Sequence, residues 1–487
     1  MNILFIYSQK DSLSGIKPLP AQTTIQLGIS YISSFLKQNG HETKLLVLTK
    51  QSNLNVVDYA LKTFLPSLIC FTAVYSEYIF ISDVAQYIKI SYPEIYLLAG
   101  GPHVSLNPEN CLSDSFDALC IGEGEEATLE LINQLERKKA PSNIRNLWIK
   151  YKNNVEKNFT RPFLKDLDNL PFPDRQMWQE WIDDRKSSWP ILLGRGCPFQ
   201  CTYCCNHALR QLADGEYVRN RSINNVLCEL EELTDKRKDV EKVYFEIETF
   251  GVNINWSIEL CGRLAEFNKK LSQPLSFGIN LRITPNIRLK ELYLAMKEAN
   301  FAYVNIGLES GNERVRKTIL NRNYSNKDLL NAVNLAKECG LKVSLFIMVG
   351  IPGETAEDFK DTIKMARVCL ADYYELFIFF PYPGTILYQI AKQNELIPLT
   401  FGEEKERSRP ILDLPGFSKR EILSNYIWFE YYIYKDYKPL LNILAVVLRN
   451  KIYSSYILYT IIRKILLNKY FFNITVKIKN LLISKKS

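Results

Sequence analysis

Three cysteines within eight residues constrain this chain more than any other feature. They stand as Cys197-x3-Cys201-x2-Cys204 inside Gly194-Arg-Gly-Cys-Pro-Phe-Gln-Cys-Thr-Tyr-Cys-Cys-Asn206, after a short apolar run, residues 189–193, that reads as a strand. Thiolates are soft ligands that suit zinc or iron–sulfur clusters. A four-iron cluster has four corners, so three cysteines leave one iron open to chemistry, whereas electron carriers fill all four. Two plainer readings use the same residues. One is a zinc site with Cys205 or His207 as fourth ligand. The other is a set of buried, unliganded thiols.

At 487 residues the chain is long enough for several domains with their own cores. The remaining cysteines, Cys70, Cys111, Cys120, Cys228, Cys261, Cys339 and Cys369, are scattered through apolar or helical patterns, where a free thiol acts as a small hydrophobe. The start, Met1-Asn-Ile-Leu-Phe-Ile-Tyr7, reads as a strand and not as a secretory signal. A reducing cytoplasm without disulfides is therefore expected. The net charge of +8 is uneven: residues 431–487 carry eleven Lys and Arg against Asp436 alone, a net +10. The rest of the chain is slightly acidic, which argues against a nucleic-acid-binding protein.

Residues 1–140 alternate apolar runs (2–7, 44–47, 68–71, 95–99) with helical patterns (26–39, 77–91), the signature of a parallel, doubly wound sheet. Such sheets take ligands at the carboxyl ends of their strands. Gly100-Gly101-Pro102-His103 and Gly122-Glu123-Gly124-Glu125 both follow strands, where the backbone must turn sharply or approach something closely. Residues 141–187 read as a linker punctuated by prolines and tryptophans. Residues 188–395 repeat strand then helix about six times, fewer than a full eightfold barrel. A partial (β/α)6 barrel is expected. Its strand ends bring the cysteine loop, Glu248, Arg282, Glu309-Ser310 and Gly350-Ile-Pro352-Gly353 to one face.

Together these segments resemble the radical S-adenosylmethionine (radical SAM) enzymes that carry an N-terminal cobalamin (B12)-binding domain. The resemblance rests on the cysteine spacing with Tyr203, on 217–222, 306–311, 348–355 and 381–385, and on the glycine motifs of the first half. It implies a [4Fe-4S] cluster on Cys197, Cys201 and Cys204. It implies S-adenosyl-L-methionine near Tyr203, Glu248, Arg282, Glu309, Ser310, Gly350, Pro352 and Gly353. It implies cobalamin near Gly100, Gly101, Pro102, His103, Gly122, Glu123, Gly124 and Glu125. The Asp-x-His-x-x-Gly motif that supplies a lower histidine to cobalt elsewhere is missing, so no histidine is expected on the metal. One acid is also missing from the family's pair before Thr249-Phe250, which leaves Glu248 alone at the matching place.

The resemblance implies a methyltransferase acting on an unactivated carbon or on phosphorus. Ring-forming radical chemistry and a non-enzymatic metal-binding scaffold are the alternatives. A small-molecule substrate and a flavodoxin- or ferredoxin-type electron donor are the expected partners. Residues 396–487 read as a helical, basic, amphipathic region. Its apolar runs are too short to span a bilayer, so it either lies on the inner face of a membrane, next to a lipid-like substrate, or packs on the barrel.

Overall fold

The computed structural model describes residues 1–455 and 458, apart from 13, 15, 153, 286, 287, 399, 400 and 402–405. The first sheet has seven strands: β1 (Asn2–Ser8), β2 (Glu42–Leu48), β3 (Leu68–Thr72), β4 (Tyr96–Gly100), β5 (Ala118–Cys120), β6 (Leu147–Tyr151) and β7 (Asn154–Lys157). Their spatial order is β2-β1-β3-β4-β5-β6-β7. The first five are parallel. Ile3, Leu4, Phe5 and Ile6 are all buried, as both faces of a parallel strand must be when helices cover them. Helices α1 (Leu27–Gln38) and α2 (Tyr75–Ser91) form where helical patterns were expected, and α3 (Glu125–Glu136) follows β5.

The sheet departs from a purely parallel one at its far edge. Strands β6 and β7 are antiparallel additions from within the stretch read as linker. Leu147 and Ile149 are buried while Trp148 and Lys150 are half-buried, the period-two pattern of a strand with one covered face. The rest of that stretch returns along the first domain. Trp178 is fully buried and donates through Nε1 to Ser30 Oγ at 2.7 Å. Arg175 reaches the other way, to Glu229 of the second domain.

The second sheet comprises β8 (Trp189–Leu192), β9 (Lys242–Phe250), β10 (Ser276–Leu281), β11 (Phe301–Glu309), β12 (Lys342–Val349) and β13 (Tyr373–Ile378). The six strands lie side by side in chain order, all parallel. The connecting helices are α4 (Ile223–Lys236), α5 (Ile254–Lys270), α6 (Leu289–Glu298), α7 (Asn326–Glu338) and α8 (Ala356–Cys369). Sequence caps start the last two: Ser325 with Asp328, and Thr355 with Asp358, form reciprocal capping boxes. Phe245, Phe277 and Phe301 pack ring against ring across three neighbouring strands. Two C-terminal helices, α9 (Lys419–Tyr434) and α10 (Leu440–Ser454), pack on each other, and α9 lies against α8. The later basic runs of the tail lie outside the described residues. Among the described residues no helix is long and apolar enough to cross a membrane.

Candidate functional site

The cysteine loop leaves β8 through Gly194 and Gly196. Gly196 adopts φ +88°, and a Cβ there would run into the Tyr217 carbonyl. Glycine is therefore required for the loop to pass so close to the 217–220 segment. Cys197 and Cys201 are buried, Cys204 is half-buried, and none is disulfide-bonded. The backbone turns tightly between two of them, with Cys204 N–H donating to the Cys201 carbonyl at 3.1 Å. Arg282 lies on the Phe199 ring at 3.6 Å and donates through Nη1 to Cys201 Sγ at 2.9 Å. A hydrogen bond with Cys205, helped by Asn206, lowers the Cys204 thiol to about 7, while the Cys205 thiol is pushed up in exchange. Burial holds Cys197 up, at about 11. Among the described residues no three His, Cys, Asp or Glu side chains converge on a single metal ion. A cubane asks for no such convergence, because each cysteine binds a different iron. Three thiols on one loop, none of them in a disulfide, fit that group.

A cavity of about 420 Å³ lies between the carboxyl ends of the first sheet and this loop. Gly100, Gly101, Pro102, Gly122, Glu123, Gly124 and Glu125 line it, so the glycine motifs of the first half come together there. Gly101 sits at φ +98°, with the place of a Cβ only 2.6 Å from Thr72 Oγ1. His103 is not in the wall. It is buried between Tyr75 and Tyr78, at 5.2 and 4.5 Å, and burial pushes its imidazole down to about 4. None of the chain's three histidines lines the cavity. Tyr31 does, and its hydroxyl is buried without a hydrogen-bond partner. An orphaned donor in a largely apolar cleft is what a bound group with polar edges would satisfy.

The two acids of this motif also clamp the domains together. Arg195 donates to Glu123 at 3.0 Å and to Glu125 at 2.6 Å, and Arg219 pairs with Glu123 at 3.0 Å. Burial raises the Glu123 carboxyl, but Arg195 and Arg219 outweigh it and leave the group below its ordinary value. Sequence reasoning missed Arg195, Arg219, Tyr217 and Phe163, which line the same cavity from the second half and the linker. Their signal was present: Arg195 sits inside the cysteine motif, and Tyr217 and Arg219 belong to the 217–222 block.

A second cavity, about 430 Å³, opens at the mouth of the second sheet. Glu246, Glu248 and Asn280 line it with Thr23 and Ile25 from the first half. Burial, with Glu248 alongside, raises Glu246 to about 7, and burial also raises Glu248. The two cavities share Gln26, Leu27, Leu192, Arg195 and Gly196.

Of the residues expected around SAM, Glu248 lines this cavity and Arg282 lies at the cysteine loop. Tyr203 and Glu309 bond to each other beside the cysteine loop. The Tyr203 hydroxyl donates to Glu309 at 3.0 Å, and Arg322 pairs with Glu309 and donates to Tyr203, both at 2.7 Å. Ser310 is fully buried beside Thr362. Gly350, Pro352 and Gly353 form a tight turn in which buried Glu354 accepts from Gly350 N–H at 2.7 Å and Ile351 N–H at 3.2 Å. Ile422 of α9 covers that turn at Gly350.

The geometry accords with comparison to known proteins. The B12 binding domain family model matches residues 20–132, and the radical SAM superfamily model matches residues 191–366. The chain is a radical SAM protein with an N-terminal B12-binding domain. An uncharacterized methyltransferase of Pyrococcus horikoshii is 28% identical over 87% of this chain and 90% of its own length. The anaerobic magnesium-protoporphyrin IX monomethyl ester cyclase of Rubrivivax gelatinosus is 25% identical over 84% of this chain and 75% of its own. In fold, this radical SAM chain is similar to the methyltransferase TsrM from Kitasatospora setae, solved with cobalamin and a [4Fe-4S] cluster bound. That alignment has a TM-score of 0.60 over 86% of this chain and 84% of the other, at 16% identity.

Proposed function

We propose that this cobalamin-dependent radical SAM protein is a methyltransferase acting on an unactivated carbon or on phosphorus of a small molecule. One observation carries the reading: the cavity at the first sheet and the cavity at the second share a wall beside the cysteine loop. A methyl donor and a radical source held there would face one substrate. Cys197, Cys201 and Cys204 would hold the cluster, Glu248 and Arg282 would take the charged ends of SAM, and the Gly100–Pro102 and Gly122–Glu125 turns would seat cobalamin. When bound, the cluster and SAM supply a hydrogen-abstracting radical, and cobalamin supplies a transferable methyl group.

The chain's own residues do the rest. Phe5, Leu27, Ile29, Leu98 and Leu192 give the first cavity an apolar wall that limits water around a reactive species. Glu246, near neutrality, can hold or release a proton at the substrate side of the second cavity. Arg322 keeps Glu309 and Tyr203 paired beside the loop, which would steady the cysteine segment against β11. A flavodoxin- or ferredoxin-type donor would deliver the electron.

The similarity to a cyclase supports a second reading, ring formation without methyl transfer. Anaerobic reconstitution with iron, sulfide and cobalamin, followed by assay of S-adenosylhomocysteine and 5′-deoxyadenosine, separates the two. Both products indicate a methyltransferase. Deoxyadenosine alone indicates a non-methylating radical reaction. Formation of neither product indicates a non-enzymatic scaffold or the wrong substrate.

A further inference from the structure

We propose that helix α10, with the basic chain around it, is a docking face for an anionic lipid surface. Its inner side is accounted for: Ile443 and Val447 are buried in the barrel domain's core. Its outer side is not. Leu440 is 55% exposed, Leu441 81%, Leu444 39% and Leu448 59%. At 100° per residue these four and Ala445 fall within an arc of about 140° on one side of the helix. Single exposed leucines are ordinary, but four on one helical face, on the last helix described, form a patch.

The charges around that patch select its occupant. Lys438 precedes the helix, and Arg449 and Lys451 lie on its last turns. Lys438 sits on the Tyr434 ring at 3.3 Å. The acids nearby are engaged: Asp436 pairs with Arg367 at 2.6 Å, and Glu430 lies within the field of Lys438 and Arg449. Residues 459–487 add seven Lys and Arg and no Asp or Glu. A second copy of this chain would bring like charge against like charge, and the chain's own tail carries the same sign. An anionic bilayer supplies both things the face lacks, apolar depth for the leucines and negative headgroups for the lysines. The helix has fifteen residues, about 22 Å, and lies along such a surface instead of crossing it.

The test is flotation of the full chain with phosphatidylcholine vesicles and with vesicles in which phosphatidylglycerol is mixed. Binding to the second alone, weakened by added salt, is expected. Leu441→Glu/Leu444→Glu/Leu448→Glu places charges at exposed positions and should leave the melting temperature unchanged while cutting vesicle binding about tenfold or more. Arg449→Glu/Lys451→Glu should weaken binding in the same direction, which guards against misfolding of the first variant. The proposal falls if the parent chain does not float with anionic vesicles. It also falls if the leucine variant binds as well as the parent. Loss of a solution dimer in that variant, without vesicle binding by the parent, would assign the face to a second copy. Vesicle binding that survives the leucine changes but not truncation after Ser455 would move lipid contact to the tail alone.

Discussion

Arg195→Ala should loosen the seam on which both cavities depend. Arg195 reaches across from the cysteine loop to Glu123 and Glu125 of the first domain, and its side chain is only 18% exposed. The loss is unequal for the two acids. Glu123 keeps Arg219 at 3.0 Å and the Leu164 N–H at 2.8 Å. Glu125, 8% exposed, loses its guanidinium at 2.6 Å and is left as a buried carboxylate. Breaking a buried pair from one side costs about 3–5 kcal/mol. Water admitted by the vacated arginine argues for the lower end, about 3 kcal/mol. At roughly 2–4 °C per kcal/mol for a domain of this size, the first melting transition should fall by about 6 °C or more. Arg195→Met/Glu125→Gln removes the orphaned charge together with its partner and should recover most of that loss. The pH dependence has a definite sign. The Glu123 carboxyl is depressed in the folded state, so its pairing stabilises above the unfolded value of about 4.3 and is lost as pH falls through the folded one. The gap between parent and Arg195→Ala should therefore narrow at acid pH. Differential scanning fluorimetry with limited proteolysis at the seam reads both effects. A melting curve for Arg195→Ala matching the parent, or a double variant no better than the single, would refute the clamp.

Three further expectations follow from the site. Replacing Cys197, Cys201 or Cys204 by Ala should abolish the absorbance and spin-resonance signals of a reconstituted cluster, while Cys205→Ala should retain them. Burial raises the Glu354 carboxyl to about 8, so ionising it opposes folding as pH climbs from the unfolded value toward 8. Glu354→Gln keeps an acceptor for Gly350 and Ile351, and its urea midpoint should match the parent near pH 5, exceed it progressively up to about pH 8 and level off above. With no histidine in the wall of the first cavity, cob(II)alamin bound to the protein should show no nitrogen splitting from a protein ligand in its spin-resonance spectrum, and His103→Ala should leave that spectrum unchanged.

Much of the fold was legible because its signals are local. Runs such as Ile3–Ile6 and Leu68–Phe71 are apolar on both faces, which only a strand covered on both sides explains. Glycines after strands marked the turns that line the first cavity. The edge hairpin escaped for an equally local reason. Residues 147–157 alternate weakly, beside prolines and tryptophans that read as a linker, and a strand at a sheet's edge needs only one apolar face.

The candidate site was less legible because its contacts join distant parts of the chain. The sequence suggested Glu123 and Glu125 as ligand-facing; both line the first cavity, and their carboxylates also meet Arg195 and Arg219, some seventy to a hundred positions away. Glu309 lies at a strand end, where a SAM contact is expected, and Arg322, thirteen residues on, pairs with it. Glu246 shows the converse. The motif singled out Glu248 and passed over Glu246, but burial beside that second acid raises Glu246 to about 7 at the mouth of a cavity. Motif spacing names which side chains reach a face. Whether each is free for a ligand depends on the charge that packing sets opposite it, and here those opposing charges come from the other domain or the next turn. Arg195 is the clearest case: one side chain inside the cysteine motif both closes the seam and forms the wall common to the two cavities.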